Sequence, residues 1–179
     1  MSTLITSTVQ GVQSIKYDAS TTAMTIDSTG RITSNKALFS PGGVIQIIEN
    51  STTTQANSTS QTFADTGLTA TITPQSTSSK IAIFISQNVH KTYQHTDQIQ
   101  VNIMRDSTQL VLWATELMHD NGALAHFNGY GSQSFLDSPS TTSPVTYKTQ
   151  FRRRLSTSAQ VSVQYASGRS SIMLMEIAQ

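Results

Sequence analysis

The chain has 179 residues, 36% of them apolar, which is enough to bury one full core and too little for two large ones. Eleven Lys/Arg against ten Asp/Glu leave a net charge of +1, and charged residues are only 12% of the chain, so the basic stripe of a nucleic-acid binder is not expected. No cysteine is present, which excludes disulfides, thiolate metal sites and cysteine nucleophiles together.

Serine and threonine make up roughly 30% of residues, well above ordinary usage, and carry the solubility that charge does not. Both types suit strands and turns better than helix interiors, where local hydrogen bonding and β-branching compete with the helix. The opening MSTLITSTVQ lacks a charged segment followed by a continuous apolar run, so no signal peptide is expected. No run approaches the roughly 20 apolar residues needed to cross a bilayer, and no membrane insertion is expected. The triplets at Asn50 and Asn57 match a glycosylation acceptor pattern and are read as polar loops.

Residues 1–40 form a series of short strand patterns, LITSTV, VQSIKY, TAMTID and RITS, separated by turns. Ile15 and Tyr17 share one face, as do Met24 and Ile26, at the spacing of two that a strand requires. Such thin segments cannot bury a core alone, which makes these four the candidate anchoring residues of a region that lies against copies of itself or another protein. Asp27 and Gly30 in TIDSTGRI fit a tight reversal between two of the strands.

Pro41, Gly42 and Gly43 mark a boundary, after which Val44, Ile45, Ile47 and Ile48 begin a buried strand. Residues 51–61 are a polar loop of low complexity. Strands are then predicted over 62–72, 80–89, 98–104, 109–115, parts of 123–136, 145–151, 160–166 and 171–177, the beat of an all-β sandwich or barrel. Trp113 and its leucine neighbours tempt a helical reading, but Val111, Thr115, Asn121 and Gly122 argue for strand, turn and strand.

Ile99, Val101 and Ile103 alternate with Gln98, Gln100 and Asn102, whereas KIAIFIS and IMLMEI are apolar on both faces. An antiparallel sheet normally shows one face to water, so a doubly apolar strand calls for a second cover. Ile81, Ile83, Phe84, Ile85, Met173, Leu174 and Met175 are therefore expected at a contact between subunits.

Little catalytic chemistry is visible. No nucleophile elbow, glycine-rich phosphate loop or HExxH run occurs. Asp65, Asp97, Glu116 and Asp137 are the carboxylates from which a glycosidase pair would be drawn, and each lies beside a turn signal. His90, His95, His119 and His126 show no ligand spacing, leaving only an ion held on a symmetry axis by copies of one histidine. No cofactor, metal or catalytic residue is expected. Arg152, Arg153 and Arg154 form the one charge run, read as a solvated strand end rather than an anion site. Aromatic and amide groups gather at two turn-rich places, so Tyr93, His95, His119, Asp120, Asn121 and Tyr130 are the candidate receptor-contact residues.

TFADTGLTATITPQSTSSKIAIFIS, FLDSPSTTSPVTYKTQF and the terminal SSIMLMEIAQ together resemble the C-terminal modules of small fibre and virion structural proteins of bacteriophages, especially phages of aquatic bacteria. The likeness covers residues 41–179 in three blocks, and STTAMTIDSTGRIT is similar to the strand-rich stems by which such fibres attach and trimerise. The resemblance implies an all-β homotrimer: a stem over 1–40 that docks to other virion proteins, then a jelly-roll-like antiparallel β-sandwich head over 41–179. It implies a tail fibre, non-enzymatic, assembled in the bacterial cytoplasm, whose head meets a host surface glycan or protein. A capsid head fibre or decoration protein, and a polysaccharide-processing enzyme, are the alternatives. FRRRLSTS is more basic than the resemblance suggests.

Overall fold

A computed structural model of the chain describes residues 14–16, 22–34, 41–91, 98–117, 127–155 and 160–179. The chain divides into two units, residues 1–40 and 41–179, at the Pro-Gly-Gly boundary.

In the first unit, β1 (Ser14–Lys16), β2 (Thr22–Ile26) and β3 (Ile32–Ser34) form an antiparallel meander. The turn after β2 is built by Asp27, whose Oδ1 accepts from Thr29 N (2.8 Å), Thr29 Oγ1 (2.6 Å) and Arg31 N (3.0 Å). Gly30 takes φ 81, a left-handed conformation that side chains disfavour. The bonds from the Thr29 side chain and from the Arg31 and Thr29 amides hold the Asp27 carboxyl below its usual range. Ile15 lies opposite Met24 in the ladder, and Ile26 opposite Ile32. Met24 and Ile26 are half-buried and Ile32 is exposed, while Tyr17 lies outside the described residues.

The second unit is an antiparallel β-sandwich. One sheet holds β4 (Val44–Thr52), β13 (Ser170–Ile177), β7 (Lys80–Lys91), β12 (Val161–Val163) and β5 (Ala56–Ser58), with β10 (Phe127–Asp137) on the other side of β7. The facing sheet runs β6 (Ala64–Ile72), β11 (Val145–Arg153), β8 (Ile99–Arg105) and β9 (Thr108–Leu117). Predicted and observed strands agree closely except at two places. The expected loop over 51–61 contains β5, three residues too short to show a period, ordered by pairing with β12. The strand expected over 160–166 stops after Val163, because Gln164 turns left-handed at φ 51 into a 3-10 turn, Tyr165–Ser167. Asn88 fixes that turn: its Oδ1 accepts from Tyr165 N at 2.8 Å. Its amide also leaves no space at Gly168, where a Cβ would sit 2.6 Å from Asn88 Cγ.

The inward residues build two apolar clusters. Leu68, Ile72, Ile81, Ile83, Ile103, Tyr147, Ile172 and Leu174 belong to the first, and Val89, Ile99, Val101, Phe151, Val161 and Val163 make up the second. This overturns part of the subunit-contact expectation: Ile81, Ile83, Ile85 and Leu174 are buried inside the chain's own core. Residues alternate between faces along a strand, so a doubly apolar strand sends only every second side chain outward. Phe84, Met173 and Met175 are the ones that point away.

Between the clusters lies a polar layer. Thr66 and Thr149 hydroxyls meet at 2.6 Å, Thr149 donates to Gln87 Oε1 (2.9 Å), and Gln87 Nε2 donates to Ser170 Oγ (2.9 Å). With its oxygen towards Gln87 Nε2 and Ser170 Oγ, the Gln164 amide gives its nitrogen to the Thr54 and Thr66 carbonyls at 3.2 and 3.1 Å. Every member is buried and bonded, the condition under which a polar interior does not destabilise. Glu176, also buried, accepts from Gln46 Nε2 (2.6 Å) and Gln75 N (2.7 Å).

Gln87→Leu removes one buried hydrogen-bond partner from each of Thr149, Ser170 and Gln164, at about 0.5–1.5 kcal/mol for each bond lost. Urea unfolding should show a loss of at least about 2 kcal/mol; an unchanged midpoint would mean that the layer is not a connected network.

Candidate functional site

The pleat of the six-stranded sheet aligns its outward residues in rows across β10, β7, β13 and β4. One row is Leu136, Ala82, Met175 and Ile47; the next is Ser134, Phe84, Met173 and Glu49; the third is Ser132, Ser86, Ser171 and Ser51. Ile47 is 55% exposed, Phe84 43% and Leu136 52%, an apolar patch with no cover inside the described residues. Ile47 was expected in a buried strand; it instead faces outward next to the inward Ile48, which packs on the core. Phe84 divides the face. On the apolar side it lines a shallow hollow of about 270 Å³ with Ala82, Phe135 and Leu136. Towards the serine row it lines one of about 520 Å³ with Met173, Ser86, Ser132 and Ser171.

Tyr130 continues the outward face of β10 at 59% exposure, on a strand and not in the loop expected for it. Tyr93, His95, His119, Asp120 and Asn121 lie outside the described residues, as do Asp97 and His126. Opposite Tyr130 the face ends at Asn88, whose amide donates to Asn128 Oδ1 at 3.1 Å and to the Gly129 carbonyl at 3.3 Å. His90 is buried, stacked on Tyr165 with ring centroids 3.6 Å apart. On the opposite margin Arg169 pairs with Glu49 at 2.8 Å, both well exposed.

Two of the carboxylates that the sequence offers as a catalytic pair, Asp65 and Asp137, are held by other groups. Asp65 accepts from Lys148 Nζ (2.9 Å) and Gln150 Nε2 (2.8 Å) on the outside of the four-stranded sheet. Burial raises the Asp65 carboxyl, but the bonds from Lys148 and Gln150 outweigh it and hold the group below its usual range. Asp137 is buried, bridged by both oxygens to Arg105 Nη1 (3.0 and 2.8 Å) and bonded by Tyr147 Oη at 2.7 Å. Glu116 falls within β9. The arginine run is tied into the sheet: Arg152 Nε donates to Gln100 Oε1 (2.7 Å) and its guanidinium lies 4.5 Å from the Phe63 ring centroid. Arg154 donates to the Gln98 side-chain oxygen. Among the described residues no three metal-ligating side chains converge, and no helix is long and apolar enough to cross a membrane.

No family model matches the chain, and no curated protein matches it in sequence. What the geometry offers is a surface: an apolar end, a serine floor and aromatic rings standing at intervals.

Tyr147 supplies a test of the Asp137 cluster. Burial, and then the bond to Asp137, push its hydroxyl above the usual 10.0. A raised folded value means that the stabilisation is complete below pH 10 and is lost as the pH climbs above it. Tyr147→Phe should therefore cost about 1.5–3 kcal/mol at neutral pH. Urea unfolding from pH 8 to 11 should show the gap between the two proteins narrowing above pH 10; a constant gap would contradict the coupling.

Proposed function

We propose that this chain is a non-enzymatic structural protein of a bacteriophage particle, a homotrimeric tail fibre. Residues 1–40 dock it to other virion proteins, and residues 41–179 form a jelly-roll-like head displayed for adhesion to the host surface. The resemblance of three sequence blocks to fibre modules motivates this assignment, and the observation that carries it is the uncovered apolar end of the six-stranded sheet. Ile47 and Leu136 stand exposed there, with Val44, Ala82 and Met175 beside them, as one continuous apolar end of the sheet. A second copy is the cover this reading assigns to them.

Burying one such side chain is worth roughly 1.5–3 kcal/mol, repeated at every contact of a closed ring. Three linked heads on each fibre, and several fibres on each particle, turn weak single contacts into firm attachment, with a gain of about 10²–10⁴-fold through effective concentration. Such a mechanism needs no catalytic group, only a rigid display surface. The meander of the first unit suits a docking role, because three short strands with Met24, Ile26 and Ile32 outside any large core gain stability from a partner.

Light scattering of the purified chain should give three times the monomer mass. The double variant Ile47→Asp, Leu136→Asp should give folded monomers, since both side chains are exposed in the single chain; a wild-type monomer would refute the trimer. Gold labelling on intact particles should mark the tail, and labelling spread over the capsid would replace the fibre with a decoration protein.

A further inference from the structure

We propose that the serine floor between Phe84 and Tyr130 is a saccharide-binding trough, which deepens the adhesive reading above and rests on it. Ser132, Ser86 and Ser171 are adjacent across three strands, and all point outward. Serine is the shortest polar side chain available, so the row is a depression between taller neighbours. Phe84 and Met173 form the wall on one side. Tyr130, two residues from Ser132 on the same face of β10 and opposite Asn88, is the next exposed outward side chain past the serine row, just outside the hollow itself. Phe84 and Asn88 are four residues apart on one strand, about 13 Å, which spans one sugar ring with its substituents. The exposed Arg169–Glu49 pair closes the third side.

This mixture matches the chemistry of a pyranose better than that of other ligands. A sugar ring has an apolar C–H face, which packs on an aromatic ring, and a rim of hydroxyls, each both donor and acceptor. Serine hydroxyls are likewise both donors and acceptors, so they meet that rim whichever way its protons point. A wholly apolar ligand would desolvate three hydroxyls without return. Among the described residues around the row, a nucleic acid or other polyanion would meet one cation, Arg169, already paired with Glu49. Few polar groups converging beside aromatic surface is the usual make-up of a small-molecule site.

The wall beyond Tyr130 is also unusually fixed. Gln164, Ala166 and Ser167 all hold left-handed backbone, with φ of 51, 50 and 64. Asn88 anchors them through Tyr165 N, and Gly168 presses against its amide. Phe84 separates the trough from the apolar end assigned to copy contact, so the trimer leaves the serine row at its margin.

The full trimeric protein should be titrated with methyl glycosides of glucose, galactose and N-acetylglucosamine by saturation-transfer NMR, and applied to immobilised bacterial lipopolysaccharide. At least one sugar should bind, with Phe84→Ala and Tyr130→Ala each weakening it at least tenfold and Ser86→Ala, Ser132→Ala weakening it together, while light scattering still reports the wild-type mass. Equal binding by wild type and the aromatic variants would overturn the trough. Attachment to host cells without any response to saccharide would overturn it and leave the adhesive reading standing; no attachment to cells at all would remove both.

Discussion

The architecture of the second unit depends on one strand. β7 runs twelve residues without interruption, pairs with β10 from Ile81 to Lys91 on one side, and on the other is shared in turn by β13 and β12. Its inward side chains pass from Ile81, Ile83 and Ile85 through Gln87 to Val89, so one strand contributes to both apolar clusters and to the polar layer dividing them. Its outward side chains, Ala82, Phe84 and Ser86, open the three rows of the exposed face. Core and surface are thus two readings of the same alternation, and a change of register here would rewrite both.

The exposed face joins physics to the proposed role. Its gradient from apolar to hydroxyl-rich follows from which residue occupies each second position on four strands. The apolar end suits a permanent contact that excludes water, and the serine end suits a contact that forms and breaks. In the display mechanism proposed above, neither end has to be strong. Repetition supplies the strength, and rigidity comes from the satisfied interior beneath.

Most of the strand plan was legible because alternation leaves a clear mark: 99–105 and 145–153 both carry it. β5 left no mark, since Ala56–Ser58 is a strand only by virtue of Val161–Val163 beside it. The break after Val163 was hidden for a related reason, because what bends Gln164 is Asn88, far away in the chain. The apolar excess of KIAIFIS and IMLMEI was visible, but its partition was misjudged: Ile81, Ile83, Ile85 and Leu174 saturate the chain's own interior, and the outward set is completed by Ile47 and Leu136 from separate strands. Serine is common enough here that Ser86, Ser132 and Ser171 carried no signal until pairing brought them into one row.

The layer of Gln87, Thr149, Thr66, Ser170 and Gln164 has a bearing on how the chain finds its final pairing. Isoleucines tolerate sliding past one another, because grease meets grease after a shift of two residues as well as before it. Amides and hydroxyls do not, since any such slip would bury a glutamine opposite a hydrocarbon. The wet stripe across an oily interior therefore works as a vernier: it leaves the many near-correct alignments of a repetitive, serine-rich sequence without a resting place, and lets only one of them settle.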